Sequence, residues 1–130
     1  MSGYRLADYL EHMEQAASDA CEFVAGMVKE QFFEDKRTQQ AVLMSLFIIG
    51  ESATKLVDRY PNFIAAHGQV PWKNMRGMRN RIAHAYFDTN LDIVWESVHK
   101  ALPELLGMLP ALIVEAGTSD SGSIGLCEPS

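Results

Sequence analysis

Two cysteines in 130 residues, Cys21 and Cys127, are too few for a disulfide framework. One falls in a predicted helix and the other in a polar C-terminal stretch, so both are expected as free thiols in a reducing compartment. No Cys/His spacing suits zinc and no Gly-rich loop follows a strand, so neither a metal nor a cofactor is expected. Strand-like alternation is missing too, which leaves an all-α chain. The most apolar segment, Ala41 to Gly50, is too short to cross a bilayer, and no basic start precedes an apolar run at the N-terminus. A soluble, cytoplasmic protein with no membrane partner is expected. The most informative absence is of negative charge. Between Arg59 and Phe87 there is no Asp or Glu, although the chain carries 17 of them and a net charge of −6. Arg59, Lys73, Arg76, Arg79 and Arg81 make that stretch a basic island on an acidic body. Such a pattern suits a local phosphate site and discourages indiscriminate coating of RNA.

What is present is apolar residues at helical spacing. With 48% of its residues hydrophobic, the chain can build one core without staples. That core belongs to a single domain over residues 1–116, and the Gly/Ser-rich residues 117–130 read as a disordered tail. Leu6, Tyr9, Leu10, Met13, Ala17, Ala20, Val24 and Met27 recur at three- and four-residue steps and predict a helix from Tyr4 to Val28. A second helix starts after Asp35, a suitable N-cap, and runs to Arg59, ended by Tyr60-Pro61. Its middle is apolar nearly all round, as in a helix packed on several sides. A loop from Pro61 to Val70 follows, then a third helix opened by Pro71 and reaching Phe87. The fourth starts near Asp88-Thr89-Asn90 and reaches Glu115, bent or broken at Pro103 and Pro110. Four to five helices with short connections predict an antiparallel bundle.

The third helix carries the chemistry. At about 100° per residue, Lys73, Gly77, Asn80 and His84 share one stripe, flanked by Arg76 and Arg81. Met75, Met78, Ile82 and Tyr86 face the other way, into the bundle. Arg79 falls about 140° from His84, close to Tyr86 on the inward side. A guanidinium there needs a carboxylate or a polar cleft, and Glu51 of the second helix is the acid paired with it. An imidazole, guanidiniums and a carboxamide on one helix are the groups needed to break a phosphodiester without metal. A base is required for the ribose 2′-hydroxyl and cationic donors for the charge that builds on phosphorus.

Arg79-Asn80-x-x-x-His84-x-Tyr86 resembles the R-x4-H-x-Y signature of HepT toxins, within the wider R-x4-6-H motif of HEPN ribonucleases. Gly50-Glu51, Val70-Pro71-Trp72, Gly77-Met78 and Val94-Trp95 flank it in matching order, and the likeness extends over Tyr4 to Glu115. The resemblance implies a homodimeric HEPN-like helical bundle whose paired motifs meet in a cleft and cut RNA without metal. It implies His84 as general base or acid, Arg79 as phosphate and transition-state ligand, and Asn80 as the residue that orients either. Arg81 is an additional cation, Lys73 and Arg76 are candidate RNA contacts, and Glu51 supports Arg79. It further implies an MNT-type nucleotidyltransferase antitoxin that adenylylates Tyr86, in a type II/VII-like toxin–antitoxin pair. Two other readings stand beside this one. One is a non-catalytic HEPN module serving a nucleotidyltransferase as substrate-binding or regulatory subunit. The other is a helical dimerisation protein with no RNA role, which leaves the carboxylate-free stretch unexplained.

Overall fold

The spacing of Leu6, Tyr9, Leu10, Met13, Ala17 and Ala20 folds into α1 (Leu6–Phe23), and those residues form its buried face. The computed structural model describes residues 4–124, with side chains for residues 4–117. Helix α1 stops at Phe23 rather than at the expected Val28. The chain turns at Gly26, whose φ of +79° suits a residue without Cβ. A short α2 (Lys29–Phe33) then delivers Phe32 into the core. Asp35 caps α3 (Lys36–Arg59) as expected. Its carboxylate accepts from the Thr38 backbone N–H at 3.0 Å and from the Thr38 hydroxyl at 2.8 Å. Those hydrogen bonds hold the Asp35 carboxyl below the usual carboxylate range.

The all-round apolarity of α3 reflects its central place. It packs against α1 on one side and α5 (Trp72–His84) on the other, with α1 in turn between α3 and a last long helix, α7 (Leu102–Ile124). Among the described residues, Met44 and Ile48 are not fully covered, being 58% and 39% exposed. Neighbouring helices run antiparallel. Tyr9 near the start of α1 meets Arg59 at the end of α3, and Arg76 near the start of α5 faces Asp58.

The segment between α3 and α5 was expected as a loop, yet Pro61–Ala66 forms α4. Pro61 sits in its first turn, where its fixed φ and missing N–H cost nothing. Beyond α5 the chain differs again. The helix ends at His84, Ala85 leaves helical geometry (φ −142°, ψ 47°), and Tyr86–Asp88 form a 3-10 turn. The Thr89 hydroxyl donates to the Tyr86 carbonyl at 2.7 Å and closes that turn with a bond the α-helix does not supply. Asn90 caps α6 (Leu91–Glu96), accepting from the backbone N–H groups of Asp92 and Ile93. A π turn, Ser97–Ala101, links α6 to α7 (Leu102–Ile124) without a break. The prolines expected to bend or break this helix are therefore accommodated. The widened turn lies just before Pro103, which has no N–H to reach back into it, and Pro110 sits inside the continuing helix. Helix α7 also passes Gly117, where a disordered tail was expected to begin. Residues 125–130 of that tail, with Cys127, lie outside the described residues.

Two stretches, Lys36–Arg59 and Leu91–Gly117, are long and apolar enough to cross a membrane by composition. They differ in how much of that apolar surface the bundle covers. In the first, 56% of the apolar window is buried in the bundle. In the second, 28% is buried, along a single stripe of Val94, Val98, Leu102, Leu105, Leu109, Leu112 and Ala116 at three- and four-residue steps. No strand occurs among the described residues, so the all-α antiparallel bundle stands, built on four long helical rods with α2 and α4 as connectors.

Candidate active site at the crossing of α3 and α5

The site begins with a glycine. Gly50 lies at a close contact of α3 with α5: a Cβ there would overlap the Cβ of Arg79 and approach the Met75 carbonyl oxygen to 2.6 Å. Because Gly50 lacks that atom, the backbone of α5 rests directly on α3, and Arg79 has to extend sideways along it. The guanidinium ends beside two residues one turn or less from Gly50. Its Nε lies 3.2 Å from Glu51 Oε1, an ion pair whose angle does not make a hydrogen bond. Its Nη2 donates to the Thr54 hydroxyl at 2.8 Å. Thr54 Oγ1 donates in turn to the Gly50 carbonyl at 2.8 Å, so the crossing point and the guanidinium are tied together. The Arg79 side chain is 23% exposed and that of Glu51 45%, which leaves part of this cation open to an incoming group.

The expected pairing of Arg79 with Glu51 is thus present. Thr54 was missed. Its signal was its place four residues after Gly50 and three after Glu51, on the same turn of α3. Arg76 has a similar fate: its Nη2 lies 3.5 Å from Asp58 of α3. The carboxylates that the basic island lacks in sequence return to it in space, from the neighbouring helix.

The other flank of α5 is different. Lys73 and Arg81 make no ion pair among the described residues. Both border a groove between α5 and the α6–π segment, floored by Leu46 and Ile49 and walled by Met78, Ile93 and Ser97. Asn80 and His84 are exposed between the two flanks, and neither side chain makes a hydrogen bond among the described residues. At helical spacing His84 stands about 60° from Arg81 and about 140° from Arg79.

Tyr86 does not occupy the place expected for it. It was expected on the inward face of a continuing helix, near Arg79. Since α5 ends at His84, Tyr86 lies on the 3-10 turn, 37% exposed, in a shallow recess with Gln40 and Leu43 of α3. Leu43 is seven residues from Gly50, about 10 Å along the helix. The neighbouring Phe87 is 96% exposed and meets Tyr86 edge to face at 5.4 Å between ring centroids. Among the described residues no group of three or more His, Cys, Asp or Glu side chains could hold a metal ion.

An all-α bundle with an arginine and a histidine five residues apart on one helix, the arginine anchored to its neighbour, has the architecture of the HEPN superfamily. The chain belongs to the ribonuclease HepT-like family, whose model matches residues 13–112. A protein of Methanocaldococcus jannaschii to which RNase activity is ascribed is 35% identical over 92% of this chain and 93% of its own length. One of Caldanaerobacter subterraneus subsp. tengcongensis, also ascribed RNase activity, is 40% identical over 75% of this chain and 84% of its own. A third, from Thermococcus cleftensis, to which the name ribonuclease HepT is given, is 37% identical over 81% and 93%. No solved structure matches the chain.

Proposed function

We propose that this protein is a metal-independent endoribonuclease and the toxin of a type II/VII-like HEPN–nucleotidyltransferase pair. The observation that carries the reading is the contrast on α5 between Arg79, held in place by α3, and His84, exposed and uncommitted at the helix end. In this reaction an imidazole takes the proton of a ribose 2′-hydroxyl, whose oxygen attacks the adjacent phosphorus. The bond to the 5′-oxygen breaks, that oxygen takes a proton, and a 2′,3′-cyclic phosphate is left. Arg79 donates to the non-bridging oxygens as their charge grows, and Asn80 orients the phosphate or the imidazole. Lys73 and Arg81 lead the RNA strand along the far flank, with Arg76 a weaker contact because Asp58 already faces it.

One proton must be removed and another supplied, and a homodimer provides two His84 side chains for the two roles. The uncovered Met44, Ile48 and Phe87 offer apolar margins for such an interface. Light scattering at micromolar concentration should give twice the chain mass. A monomer that cuts RNA excludes the shared site.

The antitoxin in this reading is an MNT-type nucleotidyltransferase that adenylylates Tyr86, whose exposed ring is open to modification. The added phosphodiester brings negative charge and bulk to the mouth of the site. With the nucleotidyltransferase, ATP and Mg²⁺, wild-type protein should gain the mass of AMP while Tyr86→Phe does not. An adduct on Tyr4, Tyr9 or Tyr60 contradicts the assignment. A small soluble pair of this kind works in the cytoplasm, where its RNA is. The decisive experiment is labelled RNA incubated with wild-type protein and with His84→Ala, both in EDTA. Cutting by the wild type alone, with cyclic-phosphate ends, is expected. Equal cutting by both variants removes His84 from the reaction, and no cutting by either favours a non-catalytic HEPN subunit.

A further inference from the structure

We propose that Thr54 is a positioning residue for the reaction, acting through Arg79; its catalytic arm rests on the ribonuclease reading above. A hydroxyl has one proton and a guanidinium has no acceptor, so the order of the two bonds is fixed. Thr54 spends its proton on the Gly50 carbonyl at 2.8 Å, and its lone pairs therefore face α5 and can only accept. The group that arrives is Arg79 Nη2, also at 2.8 Å. A threonine in a helix often bonds back to the carbonyl four residues earlier, and that alone has no functional meaning. Here the back-bond is made by a residue that is 8% exposed, at the point where the two helices touch, and its free side meets a cation. The β-branched side chain adds stiffness, since its rotamer is restricted within a helix.

Glu51 cannot do the same work. It attracts the guanidinium through Nε at 3.2 Å without hydrogen-bond alignment, and its own side chain is 45% exposed. A carboxylate in that position supplies charge but not orientation, and a substrate phosphate competes with it for the same cation. Thr54 is neutral and does not compete. It fixes the plane of the guanidinium while leaving its remaining N–H groups to point at an oxyanion. Division of labour follows: Glu51 keeps Arg79 near α3 in the absence of RNA, and Thr54 sets the direction of its donors when RNA arrives.

Thr54→Val keeps the shape and removes the hydroxyl, both the acceptor for Arg79 and the donor to the Gly50 carbonyl, whereas Thr54→Ser keeps it. Because a hydrogen bond to a charged group contributes a factor of about ten or more, Thr54→Val should lower kcat by about tenfold or more with KM nearly unchanged. Thr54→Ser should restore most of the rate. A second readout needs no turnover: NMR of the Arg79 side chain in the full-length protein. Rotation of its guanidinium about the Nε–Cζ bond should be slow in the wild type and in Thr54→Ser, and fast in Thr54→Val. Wild-type kcat in a folded Thr54→Val protein overturns the proposal, as does a guanidinium equally restrained in both. If the wild type does not cut RNA, the ribonuclease reading fails, and the NMR comparison alone decides whether Thr54 positions Arg79. Should Thr54→Val not fold, the serine variant decides: near-wild-type kcat with Arg79 restrained is expected, and wild-type kcat with Arg79 released, or a roughly tenfold loss with Arg79 still restrained, overturns the proposal.

Discussion

The two flanks of α5 carry cations of the same kind in opposite circumstances. On the side facing α3, Arg76 and Arg79 meet Asp58 and Glu51, and Arg79 is also bonded to Thr54. On the side facing the groove, Lys73 and Arg81 meet no carboxylate among the described residues. A cation already paired is fixed in direction, but the carboxylate beside it cancels much of its attraction to a distant phosphate. One that is unpaired contributes its full field but imposes no geometry. Formal charge along the chain does not distinguish these cases. Position on the helix does: in the proposed reaction the paired flank supplies precision at one phosphate, and the open flank supplies affinity along the strand.

The sharpest way to break this contrast is Arg79→Ala. If the paired flank holds the transition state, RNA cleavage should fall by about 10²-fold or more, with helical circular dichroism unchanged. A loss no larger than that of Arg81→Ala, measured alongside, would falsify the division between flanks. Gly50→Ala comes next, because the new methyl meets Arg79 and the Met75 carbonyl with nowhere to go. A destabilisation of about 1–3 kcal/mol is expected, together with reduced cleavage at temperatures where the protein is still folded. Urea unfolding and activity measured on the same sample test both halves. An unchanged midpoint means that the helices can part freely, and the close crossing then carries no constraint.

The open flank should respond more gently. Lys73→Ala and Arg81→Ala are each expected to weaken RNA binding several-fold and leave kcat alone. Each should also reduce the slope of log affinity against log salt by about 0.7, the share of one phosphate on a single strand. Binding to a single-stranded oligonucleotide over a range of salt concentrations gives that slope, and an unaltered slope removes these residues from the RNA path. The smallest effect belongs to Asp35, remote from both flanks and useful as a control. Its folded-state pKa lies below its unfolded one, so its contribution to stability is present above the ordinary carboxylate pKa. That contribution is lost as pH falls below it toward the folded value. Asp35→Asn should therefore flatten the stability curve in that acid window and leave cleavage at neutral pH unchanged. A shift in the neutral rate would mean that α3 transmits strain from its cap to the site.

How far the sequence could be read depends on which force fixes each feature. The long helices were legible because burial repeats along them: the stripe of Leu6, Tyr9, Leu10 and Met13 is the buried face of α1. The cap at Asp35 and the pairing of Arg79 with Glu51 were legible for a related reason, since each follows from a polar group that needs a partner. Features set by a single turn were not legible. Tyr86 looked like one more residue of an amphipathic period, but a bond from the Thr89 hydroxyl takes its backbone out of the helix. Pro61 was taken to end one helix when it also begins another. Thr54 was invisible because a threonine at that spacing has an ordinary use, and only the approach of α5 gives it a second one.

The attachment of α5 has a consequence for how this protein loosens. Helices α1, α3 and α7 lie side by side, whereas α5 packs chiefly on α3 and has only Trp72 and Ile82 as buried residues. Backbone amides report such differences through their exchange with solvent, since a segment with few buried contacts opens without waiting for the rest. The amides of α5 should therefore exchange with deuterium well before those in the middle of α1 and α3. Helix α5 can then come away as a unit from a bundle that stays folded, taking Arg79 from Thr54 and His84 from its setting together. Warming would thus silence the protein below the temperature at which it unfolds, and cooling would bring it back without refolding the core.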